Sequence, residues 1–237
     1  MLDAALNFIY PPVCQVCRRQ RASAAGGYVC GECWSGVRFV TPPFCQRCGL
    51  PYEGRITRDF QCANCEGVEW AFSHARSAVH ANALLLGVIH QYKYNGAIWF
   101  EVFLADLLAR QAVPALQKEK WDCLVPVPLH PTRERQREFN QAARLARSLS
   151  TALHLPVEQG FVRRVKATGT QTRLTRPERA ANMAAAFACR AGSPVRGRRI
   201  ILLDDVLTTG ATTNACARAL RQAGAADICV WTLARGA

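Results

Sequence analysis

The sequence predicts an α/β protein in which a parallel sheet flanked by helices follows a small N-terminal zinc-ribbon domain. Three observations carry this expectation. Eight of the 12 cysteines fall within the first 65 residues as four CxxC pairs. A continuous apolar run, Ile200–Leu203, delivers two acids to a loop rich in hydroxyls. Between these landmarks, strand and helix signals alternate in the order that builds parallel sheets with crossover helices. The division is expected near residue 72, giving a metal-bound unit over 1–72 and an α/β unit over 73–237.

The cysteine pairs are Cys14/Cys17, Cys30/Cys33, Cys45/Cys48 and Cys62/Cys65. A CxxC turn places two thiolates where both reach one Zn²⁺ at about 2.3 Å, and a second such turn closes the tetrahedron. The intervening stretches suit short hairpins, with Gly26, Gly27, Gly31, Gly49 and Gly54 available for turns. Two structural zinc ions are therefore expected. Sequential ribbons need only local loops, which loop-closure entropy mildly favours, while a cross-braced pairing of the first pair with the third stays open. A disulfide framework fits a reducing compartment poorly. Cys123, Cys189, Cys216 and Cys229 read as core thiols.

Composition bounds the rest. Of the 237 residues, 50% are hydrophobic and 20% charged, which supports a packed core and excludes wholesale disorder. No apolar run approaches the ~18 residues of a membrane span. The start, MLDAALNFIYPPVC, carries an early acid and no basic stretch, so it does not read as a secretion signal and a cytoplasmic location is expected. The net charge of +13 is uneven: residues 1–75 hold 7 basic and 6 acidic side chains, residues 133–199 hold 15 and 4. A surplus so concentrated is that of an anion-binding face, for phosphates or nucleic acid, or of a solvated surface.

Helical periodicity marks Ala81–Tyr92 and Ile98–Ala112. Asp122–Pro128 reads as a strand ending in a proline-stiffened loop, and Asn140–Leu153 as a helix. Arg198–Asp205 has the unbroken apolar character of a central parallel strand. Helix Thr213–Ala223, closed by Gly224, and strand Ile228–Leu233 complete the set.

The segment Ile200–Thr213 carries the strongest chemistry. Buried aliphatics bring Asp204 and Asp205 to the carboxyl end of a strand, where ligands bind in open α/β sheets. Thr208, Thr209, Gly210, Ala211 and Thr212 then lead into a helix N-terminus, whose N–H groups and dipole favour an anion. The loop lacks the Walker pattern GxxxxGK[ST] and the dinucleotide fingerprint GxGxxG. What remains is a monophosphate cradle beside two acids suited to vicinal hydroxyls.

This segment resembles the signature of type I phosphoribosyltransferases, which bind 5-phosphoribosyl-1-pyrophosphate. By that resemblance Asp204 and Asp205 hold the ribose hydroxyls and stabilise an oxocarbenium-like state. Val206, Leu207, Thr208, Thr209, Gly210, Ala211 and Thr212 wrap the 5-phosphate. Further stretches resemble the ComF/GntX family. VPVPLHPTRERQREFNQA (Val125–Ala142) contains its VPVPLH strand end and, in Arg137, Phe139, Asn140 and Gln141, most of its RGFNQA element. Glu138 stands where glycine is usual, implying a different local backbone or a weakened contact. Arg163, Arg164, Thr168, Gln171, Arg179, Asn182 and Phe187 fit a further pattern, and YKYNG (Tyr92–Gly96) supplies its lysine. The resemblance implies that Lys93 and Arg137 reach the diphosphate and that Mg²⁺ accompanies phosphoribosyl pyrophosphate. It also implies a role in DNA uptake or in the use of DNA as a nutrient. Expected partners are single-stranded DNA and proteins of the uptake machinery, with no membrane insertion. Two functional readings follow: a DNA-handling protein that keeps the phosphoribosyl site as a grip or sensor, and an active transferase whose acceptor the sequence does not name.

Overall fold

The computed structural model describes residues 12–54, 56, 59–165 and 186–236. Four parallel strands form the central sheet: β1 (His74–His80), β2 (Cys123–Pro126), β5 (Arg199–Leu207) and β6 (Asp227–Arg235), in the order β1-β6-β5-β2. Two short strands, β3 (Val162–Arg164) and β4 (Phe187–Cys189), pair antiparallel beside it. They flank the stretch 166–185, so Thr168, Gln171, Arg179 and Asn182 of the family pattern lie outside the described residues.

Alternation along β5 decides which helix covers which face. Ile201 and Leu203 join one buried cluster, with α2 (Ala83–Tyr94), α3 (Glu101–Leu116) and α5 (Gln141–Leu153). Ile200 and Leu202 point the other way, into a cluster with α6 (Ala211–Gln222), Phe161, Val162 and Phe187. Both faces are buried, which is why the strand reads as unbroken aliphatic sequence. Removing one such side chain, as in Leu104→Ala, costs about 2–5 kcal/mol.

The expected elements are present with shifted ends. The second periodic segment opens as a 3₁₀ turn, Ile98–Phe100, and α3 then continues through Pro114 to Leu116. Helix α6 starts two residues before the expected Thr213, because Gly210 takes the N-cap. Gly224 is left-handed just beyond the Ala223 cap, as its place at a helix end requires. Unforeseen were β1, the β3–β4 pair, and α4 (Pro131–Arg137).

Ahead of the sheet, the described residues between 12 and 65 form two cysteine-centred ribbons joined by Val37–Pro43, with α1 (Gly31–Ser35) in the first. Val29, Cys30 and Cys33 are buried in the same cluster as Leu85, Phe103 and Leu104. Gly27 is left-handed, and a Cβ there would lie 2.8 Å from the Phe103 backbone nitrogen, so only glycine permits this contact. The first ribbon is thus a wall of the main core. Among the described residues, no helix is long and apolar enough to cross a membrane.

Candidate functional site

The eight N-terminal cysteines gather sequentially: Cys14, Cys17, Cys30 and Cys33 in one cluster, Cys45, Cys48, Cys62 and Cys65 in the other. The cross-braced alternative is excluded. Sulfur separations of 3.5–3.9 Å match the ~3.8 Å edge of a tetrahedron built on ~2.3 Å Zn–S bonds. The two clusters are built alike. Backbone N–H of Cys30 donates to Cys14 Sγ, and that of Cys62 to Cys45 Sγ, each at 3.3 Å. Burial pushes both acceptor thiols up, but the backbone donors outweigh it, bringing Cys14 down to about 6 and Cys45 to about 7. Burial and the neighbouring thiols push Cys33, Cys62 and Cys65 up, so it is the sulfur geometry that fits two closed zinc sites, with four protein ligands each and no position left for substrate.

The second site lies at the carboxyl ends of β2 and β5. From β5 the chain passes through α6 to β6 on one side. From β2 it passes through α5 to a bridge at Val157 on the other side, where Leu124 and Val157 pair. The crevice between adjacent strands whose connections diverge is where open α/β sheets bind ligands. Asp204, Asp205, the loop to Gly210 and the Pro126–His130 segment all border it.

Asp205 is buried and its Oδ2 accepts hydrogen bonds from Gln141 Nε2 and Lys93 Nζ, both at 2.7 Å. Lys93 comes from the last turn of α2 and Gln141 from the first turn of α5, so two helices aim donors at one carboxylate. The neighbouring Asn140 caps α5, accepting from Ala142 N at 2.9 Å, and ties it to the proline loop through Nδ2 and Val127 O at 3.1 Å. Phe139 stacks on Tyr92 at 5.1 Å between centroids. Phe139, Asn140 and Gln141 of the FNQA element therefore each have a positioning job. Gln141 was legible only as part of that element, and the geometry adds it to the site.

Asp204 points to the opposite face of the sheet, toward Arg164 of β3 and Cys216 of α6. Burial, with the negative charge of Asp205 adding to it, pushes its carboxyl up to about 7, although the Asp205 N–H at 2.9 Å and the cations Lys93 and Arg164 pull it down. One acid of the pair is therefore fixed in a charge-assisted network, while burial and the like charge beside it disfavour the ionised form of the other. Arg164 is a further site candidate by this placement.

In the loop, Thr208 is exposed and Gly210 adopts φ 76° at the start of α6. Thr213 Oγ1 donates to Gly210 O at 3.0 Å, and Thr209 Oγ1 accepts from Ala211 N at 3.4 Å. Gly210 is also confined by a neighbour that the sequence does not reveal. A Cβ there would meet the Trp70 ring, at 2.8 Å from Cζ3 and 2.9 Å from Cη2. The indole, from the segment after the second ribbon, occupies that side of the loop.

Arg137 lies apart from the acids. It stacks on Tyr94, 4.5 Å from the ring centroid, and Nη2 donates to the Tyr94 hydroxyl at 2.5 Å. His130 caps α4, its Nδ1 accepting from Thr132 N at 3.3 Å. Glu138 adopts φ 66°, a left-handed backbone that glycine takes at least cost, at the end of α4. Arg163, Arg164 and Arg190 line a cavity of about 240 Å³ with Pro126 and Asn140, beside the carboxyl end of β2. Three arginines of the basic stretch thus gather beside the carboxyl end of β2.

Comparisons with known proteins agree with this architecture. Residues 5–66 match the double zinc ribbon domain and residues 140–237 the phosphoribosyl transferase domain. The chain is 33% identical to Competence protein F of Haemophilus influenzae, over 94% of this chain and 96% of that one. It is 31% identical to DNA utilization protein YhgH of Escherichia coli, over 95% and 97% respectively. Competence protein ComFC of Bacillus subtilis is 29% identical over 87% of this chain and 84% of its own length. With both of its domains matched and full-length relatives at this identity, the chain belongs to the family of Competence protein F and DNA utilization protein YhgH.

Proposed function

We propose that the chain binds phosphoribosyl pyrophosphate with Mg²⁺ in the crevice and single-stranded DNA on the adjoining basic surface, and that it acts in DNA uptake or utilisation. The observation that carries this reading is the acid pair and helix-capped loop at the divergence of β2 and β5, in a chain whose relatives are named for competence and DNA utilisation. Asp204 and Asp205 take the ribose hydroxyls, and residues Val206–Thr212 take the 5-phosphate through backbone N–H groups and the α6 dipole. Lys93, already at Asp205, turns to the diphosphate as ligand enters. Arg137 meets the diphosphate only by leaving Tyr94. Mg²⁺, when bound with the ligand, would supply counter-charge to the diphosphate, with Asp204 and Asp205 the carboxylates nearest to hold it.

DNA binding draws on the arginines of α4 and β3, contacting phosphates without reading sequence. Calorimetric titration with phosphoribosyl pyrophosphate and Mg²⁺, with Asp205→Asn as control, tests the first half. A loss of at least ~10-fold in the variant, about 1.4 kcal/mol, is expected, and a wild-type chain giving no heat refutes the site. Anisotropy titration with a labelled single strand tests the second. Affinity should fall steeply between ~50 and ~200 mM salt, and salt-independent or absent binding refutes it. Pyrophosphate release with a nucleobase or amine acceptor would favour the transferase reading, in which the acid pair faces a developing oxocarbenium ion.

A further inference from the structure

Arg235 is the last residue of β6, directly opposite Leu207 in the ladder, and is only 6% exposed. Its Nη1 donates to the carbonyls of Leu207 at 2.9 Å, Thr208 at 2.8 Å and Gly236 at 2.5 Å. Its Nη2 lies 3.9 Å from Sγ of Cys48, a member of the second cysteine cluster. Among the described residues, no carboxylate stands within ion-pair distance of this guanidinium. A buried cation without an anion is expensive, and such groups are paired. The anion at hand is the cysteine cluster, because a tetrathiolate zinc centre carries a formal charge of about −2. Arg76 flanks the same ribbon, stacked on Phe44 and bonded to Gln46 O at 3.0 Å, but its hydrogen bonds stay with the ribbon and β1. Arg235 alone of the two continues to the loop. A cavity of about 300 Å³ lies where ribbon, loop and strand end meet, lined by Cys48, Trp70, Thr208, Gly210 and Arg235, so the loop backbone is not otherwise packed solid from this side.

We propose that Arg235 is a positioning residue that takes the second zinc centre as its counter-charge and fixes the Leu207–Thr208 backbone, so that zinc in the ribbon sets the order of the anion-binding loop. Coupling of this kind is reciprocal: whatever the zinc does for the loop, the clamped loop does for the zinc. The consequence for ligand affinity rests on the reading of the loop as a phosphate cradle, whereas the coupling itself does not.

The test uses the full chain with Arg235→Met and Arg235→Lys. Zinc release is followed with a chromogenic chelator, and loop order by amide hydrogen exchange over 207–211. In Arg235→Met, one of two release phases should quicken by ~10-fold or more, the other should keep its rate, and loop protection should fall by a similar factor. Arg235→Lys, which keeps the charge but lacks the planar fork, should recover the release rate and leave the loop loose. Unchanged release, or unchanged loop exchange, in Arg235→Met overturns the proposal. Should that variant fail to fold, the wild-type chain decides: removal of its second zinc must raise exchange at 207–211, and an indifferent loop overturns the coupling. Titration with phosphoribosyl pyrophosphate and Mg²⁺ separates the two readings. Wild-type protein that binds none, yet shows the zinc–loop coupling, removes the proposed ligand and leaves the role of Arg235 standing.

Discussion

Replacing Gly210 with alanine should destabilise the protein by about 2–4 kcal/mol, through two effects that can be measured apart. The backbone there is left-handed at φ 76°, which costs an L-residue with a Cβ about 1 kcal/mol. The added methyl also lands 2.8–2.9 Å from two carbons of the Trp70 ring, and overpacking of this kind costs about 1–3 kcal/mol. The ring packs on Phe72 at 4.9 Å between centroids, while the cavity of about 300 Å³ beside both rings gives it space to yield, which favours the lower end of that range. Trp70→Leu vacates the space, and because Trp70 Nε1 has no hydrogen-bond partner among the described residues, the swap strands no acceptor there. In the Trp70→Leu background, Gly210→Ala should therefore cost only the backbone part, about 1 kcal/mol. Urea unfolding of the four chains, followed by circular dichroism because the swap removes a fluorophore, gives the coupling energy. We expect 1–3 kcal/mol. Costs that add to within ~0.5 kcal/mol would refute the claim that Trp70, rather than the loop's own conformation, makes alanine intolerable at this position.

Metal analysis of zinc-replete protein should find about two zinc ions per chain, and less than one would refute the two closed sites. Because Cys30 and Cys33 are walls of the main core, Cys30→Ser should lower the unfolding temperature of the whole chain, and an unchanged second transition for the α/β part would contradict the shared core. The carboxyl of Asp204 is raised to about 7 in the fold, so the stability it contributes is present below the unfolded value near 3.8 and is lost as pH climbs through 7. Subtracting the pH profile of Asp204→Asn from that of the wild type should isolate a decline between about pH 4 and 7, and a flat difference would count against the raised value. Glu138→Gly should stabilise by about 0.5–1 kcal/mol by relieving a left-handed non-glycine residue, read as a rise in urea midpoint.

What the sequence made readable was whatever depends on close spacing or on burial from both sides. Four CxxC pairs announce their zinc sites because the ligand geometry is local, and Ile200–Leu203 announces a central strand because both faces must be apolar. The acids and hydroxyls that follow were placed by the same strand. Strand β1 escaped notice because HARSAVH breaks the apolar pattern with Arg76, which packs on Phe44 of the second ribbon, and Ser77, which bonds Thr232 of β6. Helix α4, PTRERQR, buries none of its residues and so has no apolar stripe to read. The contacts that shape the loop come from far along the chain: Trp70 is 140 positions from Gly210, and Lys93 and Gln141 converge on Asp205 only through the packing of two helices. Arg235, at the end of an apolar strand, reads as an ordinary terminal cation until the fold sets it between a thiolate and three carbonyls.

The outer margin of β1 is closed by backbone from the N-terminal unit. Val40 N donates to Ala78 O at 2.9 Å, His80 N to Arg38 O at 2.8 Å, and Ala75 N to Arg47 O at 2.8 Å. Residues 38–40 lie on the strap between the two cysteine clusters and residue 47 within the second, so the cover is held in place at both ends by metal ligands. A bare sheet margin is a template on which another chain can add a strand. Loss of zinc therefore does more than loosen a small module: it uncovers a row of hydrogen-bonding groups along the edge of the main sheet. Zinc-starved protein should leave solution by self-association at concentrations where the metal-loaded chain stays dispersed, which makes metal supply a determinant of solubility as well as of fold.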